Sequence, residues 1–247
     1  MTQPQKEGIL LVNKPRGKTS FYLVKTLRHL TGIKKIGHAG TLDPFATGVM
    51  VMLIGRDFTK LSNQFLNSDK EYLARLKLGF TTDSYDCDGV IVKGSDTVPT
   101  EEEVLNVIAK FNGEIMQTPP MYSAKKVGGK KLYELARKGI EIERVPQKVE
   151  LTTTFIEYEY PYLTFQCACT KGTYIRALAN DMGKDLGCGA YIEELTRLRS
   201  GNFYLEDCVD YNTLSLTNFE YEHHLIEGPW KLSQNLKISK PAQSPSH

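Results

Sequence analysis

The sequence lacks the long apolar run that a membrane helix needs. Its longest apolar stretch, Val49 to Ile54, is far shorter than the ~20 residues required to cross a bilayer. The first seven residues are polar, so they do not read as a secretory signal peptide. From these two absences we expect a soluble, cytoplasmic protein.

Cysteine is scarce in this chain and badly spaced for metal binding. Two of the cysteines alternate with Ala168 in an apparent strand, so their side chains are expected on one face. The number of thiols is odd and no two of them form a C-x-x-C pair. We therefore expect reduced thiols that pack as small apolar side chains rather than metal ligands. The sequence therefore predicts neither a metal site nor a cofactor. The five positions are Cys87, Cys167, Cys169, Cys188 and Cys208.

A large net charge is also missing, but the positive charges are unevenly placed. The 247 residues sum to +2, whereas residues 1–40 carry +7 and residues 120–148 carry +5, leaving −10 for the rest. One basic run is usually a solvated face. Two basic segments separated by acidic sequence predict a positive groove for a polyanion such as nucleic acid.

Helical and strand periodicities are interspersed along the chain, with no long repeat. Ser20 is expected to cap a helix over residues 21–31 that has Phe21, Val24, Leu27 and Leu30 on one face. Further helices are predicted for residues 101–111 (after a capping box), 132–137 and 173–186. Strands are predicted for residues 8–12, 49–54, 70–78, 149–158, 163–170 and 192–198. Short connections outnumber crossover helices, so we predict one mixed α/β (α+β) domain with a largely antiparallel sheet.

The segment Gly37-His-Ala-Gly-Thr-Leu-Asp-Pro-Phe-Ala-Thr-Gly48, which we predict to be a glycine-rich loop, is the most informative part of the sequence. Its glycines allow close approach of the backbone to a ligand or another chain. Asp43 precedes Pro44, which biases the aspartate away from helix. Taken alone, an Asp-Pro pair most often forms a turn, and a lone His38 is more often structural than catalytic.

This segment resembles the G-H-x-G-T-L-D-P-x-A-x-G motif of TruB-type tRNA pseudouridine synthases. Other family elements follow in the family's order and cover about residues 8–210. These elements are Leu10-Leu-Val-Asn-Lys-Pro-Arg-Gly-Lys-Thr-Ser20, Lys70-Glu-Tyr72, Gly79-Phe-Thr-Thr-Asp-Ser-Tyr-Asp86, Pro120-Met-Tyr-Ser-Ala-Lys-Lys126, Cys169-Thr-Lys-Gly-Thr-Tyr-Ile-Arg176 and Leu195-Thr-Arg-Leu-Arg-Ser-Gly201. The resemblance implies the pseudouridine-synthase fold and isomerisation of the T-loop uridine at position 55 of tRNA.

The resemblance also implies a catalytic set. Asp43 corresponds to the nucleophile, which attacks either the uracil ring or the ribose; the sequence does not choose between these routes. Arg176 corresponds to the arginine that keeps this aspartate ionised and oriented, although without the motif a surface salt bridge would be favoured. Tyr72 corresponds to the tyrosine that stacks on the uracil and can relay a proton, or it is a core aromatic of its strand.

Four further residues are implied to contact the RNA or line its pocket. His38 corresponds to the residue that fills the stacking space vacated by the flipped base. Tyr174 and Leu195 correspond to lining residues of the base pocket, or they serve packing only. Asp86 corresponds to an acid near the site with no assigned role, or it ends a turn.

A basic segment over residues 117–147 resembles the family's mobile thumb. It supplies the best phosphate contacts, which would give affinity rather than base discrimination. These contacts are Lys125, Lys126, Lys130 and Lys131.

The domain prediction is a catalytic domain over residues 1–210 and a short extension over 211–247. We expect one or two short helices within 212–230, a disordered tail after residue 237 and no C-terminal RNA-binding β-barrel (PUA domain). The expected partner is the T-arm of tRNA, with a monomer favoured. Two alternatives stay open: a non-catalytic RNA-binding or tRNA-folding protein on this scaffold, and the same chemistry on ribosomal or small nuclear RNA.

Overall fold

The computed structural model describes residues 5–123, 125–216 and 218–227, without the side chains of residues 126 and 131. Its helices are α1 (Ser20–Thr31), α2 (Arg56–Lys60), α3 (Ser62–Leu66), α4 (Glu101–Lys110), α5 (Leu132–Ala136) and α6 (Ile175–Asp185). Its strands are β1 (Gly8–Lys14), β2 (Ile36–Ala39), β3 (Thr47–Ile54), β4 (Lys70–Leu78), β5 (Phe80–Thr82), β6 (Ile91–Gly94), β7 (Gly113–Gln117), β8 (Lys126–Val127), β9 (Lys130–Lys131), β10 (Gln147–Glu159), β11 (Tyr162–Cys169), β12 (Ala190–Ser200), β13 (Phe203–Tyr204) and β14 (Val209–Asp210).

One ten-stranded sheet organises the described residues. Eight of its strands run in the order β14-β1-β3-β12-β4-β11-β10-β7, with β2 paired to β3 and β13 to β12. Only the pairs β1–β14 and β3–β12 are parallel within this sheet. The predicted fold class, a mixed domain with a largely antiparallel sheet, is confirmed. Among the described residues, no helix is long and apolar enough to cross a membrane.

The alternation predicted for β4 is confirmed by burial. Ala74, Leu76 and Leu78 are fully buried and pack in the same core as residues of α4, α6 and β12. The capping box at the start of α4 is also present, with the Thr100 side chain accepting from the backbone N–H of Glu103. Burial of this apolar face fixes the register of β4, because a slip by one residue would expose it.

Helix α1 departs from the prediction in two ways. Its N-cap is Thr19, whose hydroxyl accepts from the backbone N–H of Tyr22, so the cap expected at Ser20 was wrong. Phe21, predicted on the same face as Val24 and Leu27, is 53% exposed, and Leu23 is buried with those two residues instead. A start one residue earlier leaves the Ser20 side chain free for a long-range contact with the loop that carries Asp43.

The glycine-rich loop is shorter than the sequence suggested, because strands take both of its ends. Residues 37–39 belong to β2 and residues 47 and 48 to β3, which leaves residues 40–46 as the loop. Gly48 has φ +104°, and a Cβ atom there would lie 2.3 Å from the carbonyl oxygen of Arg197. Glycine is therefore required where β3 crosses closest to β12.

The thumb segment connects β7 to β10 and carries the β8–β9 hairpin and α5. Gly128 and Gly129, both with positive φ, form the two-residue hairpin turn. Gln117, at the end of β7, is buried and exchanges two hydrogen bonds with the backbone of Tyr174: its Nε2 donates to the carbonyl (3.1 Å) and its Oε1 accepts from the N–H (2.8 Å). The root of the thumb is thereby fixed to the start of α6.

The C-terminal part of the described chain packs back on β1. Two short 3-10 helices, Tyr211–Ser215 and Tyr221–His224, confirm the short helices expected there. Ile226 forms an antiparallel bridge with Ile9, and the Tyr221 hydroxyl donates to the carbonyl of Lys6. The predicted disordered tail lies outside the described residues.

Candidate active site

The loop that carries Asp43 is clamped on both sides of the aspartate. Before it, the Ser20 hydroxyl accepts from the Leu42 N–H (3.0 Å) and lies 3.1 Å from the Leu42 carbonyl. After it, the Pro44 carbonyl accepts from the Gly17 N–H (2.8 Å) and from Nζ of Lys14 (3.1 Å). The opening motif therefore holds the backbone of the Asp43 turn in place.

Arg176 links Asp43 to the rest of the site. Its Nε lies 2.9 Å from Oδ2 of Asp43, whose side chain is 37% exposed. Its Nη1 donates to Oδ2 of Asp86 (3.1 Å) and to the carbonyl of Ser84 (3.0 Å), and its Nη2 donates to the carbonyl of Tyr122 (2.6 Å). Arg176 is 4% exposed, so the interpretation as a surface salt bridge was wrong.

Asp86 is a buried partner of Arg176 rather than a simple turn residue. Its Oδ1 accepts from the Ser84 hydroxyl (2.6 Å) and from the Asp88 N–H (3.1 Å), while its Oδ2 faces Arg176. Burial raises the pKa of Asp86, and the Arg176 charge together with the Ser84 hydroxyl opposes this rise. The arginine thus bridges one half-exposed carboxylate and one buried carboxylate.

A cavity of about 350 Å³ opens beside the Asp43–Arg176 pair, within the size range of small-molecule sites. Five of the residues singled out in the sequence line it, and they come from a loop, two strands and the start of a helix. Its apolar wall includes Leu195, and its aromatic residues include Tyr72 and Tyr174. These five residues are Asp43, Tyr72, Tyr174, Arg176 and Leu195.

Tyr72 lines this cavity, and the charges that affect its pKa include those of Arg197 and Asp43. Burial raises the pKa of its phenol, so the hydroxyl is protonated at neutral pH. The charge of Arg197 and a hydrogen bond from it oppose the rise. Tyr72 also packs against the core, so the pocket and core interpretations of this residue both apply.

Three buried cations that the sequence did not single out surround the site. Arg197 is 1% exposed and donates from Nε to the Val49 carbonyl (2.8 Å). Lys70 donates to the carbonyls of Phe65, Leu66 and Ser68. Burial lowers the pKa of Lys70, and that of Lys14, to about 8. Residues 14, 70 and 197 belong to the motifs that resemble the family, which could have pointed to them. Their burial could not be predicted from the sequence.

The remaining predicted residues lie outside the cavity wall. His38 is half-buried on β2, burial lowers its pKa, and its Nδ1 has no hydrogen-bond partner among the described residues. Lys125 and Lys130 belong to the thumb, where Lys130 is exposed, whereas the side chains at 126 and 131 lie outside the description. A second cavity of about 590 Å³ shares Asp43, Tyr122 and Arg176 with the first, and Asp83, Asp86 and Asp88 are among its other lining residues.

The arrangement is suited to chemistry by a carboxylate in a partly enclosed pocket. In the described part of the chain, no group of three or more His, Cys, Asp or Glu side chains is placed to hold a metal ion. The cavity instead offers the Asp43 carboxyl group as a nucleophile candidate, the neutral phenol of Tyr72 and an apolar wall that includes Leu195. Such a site fits a planar heterocycle that reacts with a carboxylate.

Comparison with known proteins gives the family of the chain. Residues 28–175 match the family model described as TruB family pseudouridylate synthase (N terminal domain), and residues 176–236 match the tRNA pseudouridylate synthase B C-terminal domain. The boundary between the two falls inside α6, so Asp43 belongs to the first match and Arg176 to the second. The ion pair at the site joins the two matched regions.

Curated relatives agree with these matches. The tRNA pseudouridine synthase B of Chlamydia abortus is 60% identical over 220 residues, which cover 89% of this chain and 94% of the relative. The protein of the same name from Clostridium kluyveri is 46% identical over 213 residues, covering 86% and 73%.

Solved structures with the same fold are more distant. A chain of a Cbf5-Nop10-Gar1 complex has a TM-score of 0.66 and 28% identity, covering 83% of this chain and 53% of that chain. A chain of an H/ACA RNP bound to a substrate RNA containing 2'-deoxyuridine has a TM-score of 0.64 and 26% identity, covering 89% and 56%. This chain therefore spans about half the length of those two. From the family matches and the curated relatives, the chain belongs to the TruB family of pseudouridylate synthases.

Proposed function

We propose that the chain isomerises a uridine of tRNA to pseudouridine, at position 55 in the T-loop, with Asp43 as the nucleophile. The observation that carries this proposal is the Asp43–Arg176 ion pair at the edge of a cavity lined by Tyr72 and Leu195. The reaction breaks the C1'–N1 bond, forms a C1'–C5 bond, removes the proton at C5 and adds one at N1. Neither a redox partner nor a metal ion is needed for this balance.

Each residue at the cavity has a role in the proposed reaction. The Asp43 carboxylate attacks the uracil ring or the ribose, and Arg176 orients it while staying charged. Tyr72 presents its ring face to the uracil, and its neutral hydroxyl relays the C5 proton. Leu195 and Tyr174 complete the wall of the pocket. Asp86 positions Arg176 through the buried salt bridge.

The uridine must leave its stack to reach the cavity, because Asp43 lies in a pocket and not on a protruding surface. We assign His38 to the vacated stacking position in the RNA loop, because its imidazole is only half-buried on β2 and an aromatic ring can stack on RNA bases. Lys125, Lys126, Lys130 and Lys131 would neutralise phosphates of the T-arm.

All five cysteines are free, which suits a reducing compartment, and we therefore place the activity in the cytoplasm.

The similarity to tRNA enzymes favours tRNA over other RNA substrates. The relatives named tRNA pseudouridine synthase B reach 61% identity, whereas the chains from the Cbf5-Nop10-Gar1 complex and the H/ACA RNP reach 28% and 26%. A purely non-catalytic RNA-binding role is disfavoured because Asp43, Tyr72 and Arg176 converge on one cavity.

The test is to incubate the full chain with unmodified tRNA and to map pseudouridine by carbodiimide-dependent reverse-transcription stops. We expect one modified uridine, at position 55, and the same product in an isolated T stem-loop. Formation of pseudouridine elsewhere in tRNA, or in ribosomal RNA alone, would contradict the proposal. The Asp43→Asn variant is the matched control, since it keeps the shape of the side chain and loses the nucleophile.

A further inference from the structure

Ser123 is a buried hydroxyl of the thumb that no described protein group satisfies. The residue is 4% exposed, lines the cavity beside Asp43, and its Oγ has no hydrogen-bond partner among the described residues. Leaving a hydroxyl buried without a partner costs free energy, so native structures rarely keep one unless it binds something else. The question is which group completes it.

The backbone of Ser123 is held in place by hydrogen bonds of its N–H and its carbonyl. Its own N–H donates to the Met121 carbonyl (2.9 Å), and its carbonyl accepts from the Tyr133 N–H (3.0 Å). The preceding carbonyl, that of Tyr122, accepts from Nη2 of Arg176 (2.6 Å), and the Tyr122 hydroxyl donates to Oδ2 of Asp83 (3.2 Å). Ser123 is therefore held against the arginine that orients Asp43.

We propose that Ser123 donates a hydrogen bond to a carbonyl oxygen of the uracil that enters this cavity, which makes it a specificity residue carried by the thumb. This inference rests on the proposed function and names one contact within it. Uracil has carbonyl groups on both sides of N3. A half-turn of the ring about its N3–C6 axis places C5 where N1 was, and it also exchanges the C2 and C4 carbonyls. A carbonyl oxygen therefore occupies the same place before and after isomerisation. A rotatable hydroxyl can follow small shifts between the two states.

The assignment also explains why a thumb residue belongs at the catalytic pocket. The segment that carries Lys125 and Lys130 for phosphate contacts would also present Ser123 to the base. Closure of the thumb on the RNA backbone is then coupled to recognition of the uracil. A base without a carbonyl at that place leaves the Ser123 hydroxyl unsatisfied, and such a loss discriminates strongly between substrates.

Ser200 provides a matched control for the experiment. It is also buried (2% exposed), and its Oγ also has no partner among the described residues, but it does not line the cavity. Removing either orphan hydroxyl should leave the melting temperature unchanged or raise it. Only Ser123→Ala should lower kcat/KM on tRNA, by roughly tenfold. If Ser123→Ala and Ser200→Ala have the same kcat/KM as the wild type, the inference is overturned.

A thermodynamic cycle separates a base contact from other effects. In the non-reactive Asp43→Asn background, binding is measured for a T stem-loop with uridine at the target position and for the same RNA with an abasic nucleotide there. We expect Ser123→Ala to weaken binding of the uridine RNA roughly tenfold and to leave the abasic RNA unchanged. An equal loss for both RNAs would place the contact on the ribose or phosphate and overturn the proposal. Absence of pseudouridine with the wild-type chain would instead contradict the proposed function itself.

Discussion

The carbonyl oxygen of Pro44 accepts a hydrogen bond from the ammonium group of Lys14, 3.1 Å away. The same ammonium group donates to the carbonyls of Pro15 (2.9 Å) and Lys18 (2.7 Å). Lys14 is fully buried, so a charged side chain of β1 is used to hold the backbone next to Asp43.

The first prediction concerns pH and the Lys14 charge. Burial lowers its pKa from 10.5 to about 8, so between these values the unfolded chain holds a proton that the folded chain has released. The penalty for burying the charge is present below pH 8 and is relieved as pH rises toward 10.5. The free energy of unfolding of the wild type, relative to Lys14→Met, should rise across this window by on the order of 3 kcal/mol.

This pH dependence is measured by urea unfolding of both proteins at several pH values from 7 to 10. Lys148→Met is the control, because Lys148 is an exposed partner of Glu114. A constant difference between wild type and Lys14→Met would show that the three carbonyls keep the ammonium charged throughout.

The second prediction concerns the nucleophile. Asp43→Asn should reduce single-turnover formation of pseudouridine by about a thousandfold or more, because no oxyanion is left to attack. Binding of tRNA should change by less than a few fold, since the loop is held through its backbone at Leu42 and Pro44. Asp57→Asn, an exposed carboxylate paired with Lys60, should retain full activity. Substantial turnover by Asp43→Asn would rule out the nucleophilic role.

The third prediction concerns the shape of the charge beside Asp43. Arg176→Lys keeps one positive charge but cannot reach Asp43, Asp86 and the Tyr122 carbonyl together, because a lysine lacks the planar fork. We expect kcat to fall at least tenfold, with the KM for tRNA changing less. Arg75→Lys is the control, since Arg75 pairs with Glu194 at the surface. Normal kcat in Arg176→Lys would mean that charge alone suffices.

The fourth prediction concerns the thumb. Neutralising Lys125, Lys126, Lys130 and Lys131 together should weaken RNA binding and reduce the salt slope of log K by about 0.7–0.9 for each lost phosphate contact. The matched control neutralises four exposed lysines that pair with acids, namely Lys6, Lys60, Lys110 and Lys184. If the two quadruple variants show equal salt slopes, the phosphates are bound elsewhere, for example by residues 14–35.

The sequence alone was enough to predict the main helices and strands and five of the residues that line the cavity. The period-two burial of β4, the capping box of α4 and the glycine-rich loop are local patterns whose physics acts over a few neighbouring residues. Asp43, Tyr72 and Arg176 could likewise be singled out, because the motifs that contain them resemble those of the family.

The tertiary structure was needed to show which of these residues contact one another and which are buried. Arg176 faces Asp43 from a position 133 residues later in the chain, and its burial turned an expected surface pair into the link between two carboxylates. Ser20, predicted as a helix cap, instead binds the backbone of the loop that carries Asp43. Lys14 and Arg197 are buried charges. Burial and long-range contact depend on how the sheet brings β1, β3 and β12 together, which no short stretch of sequence encodes.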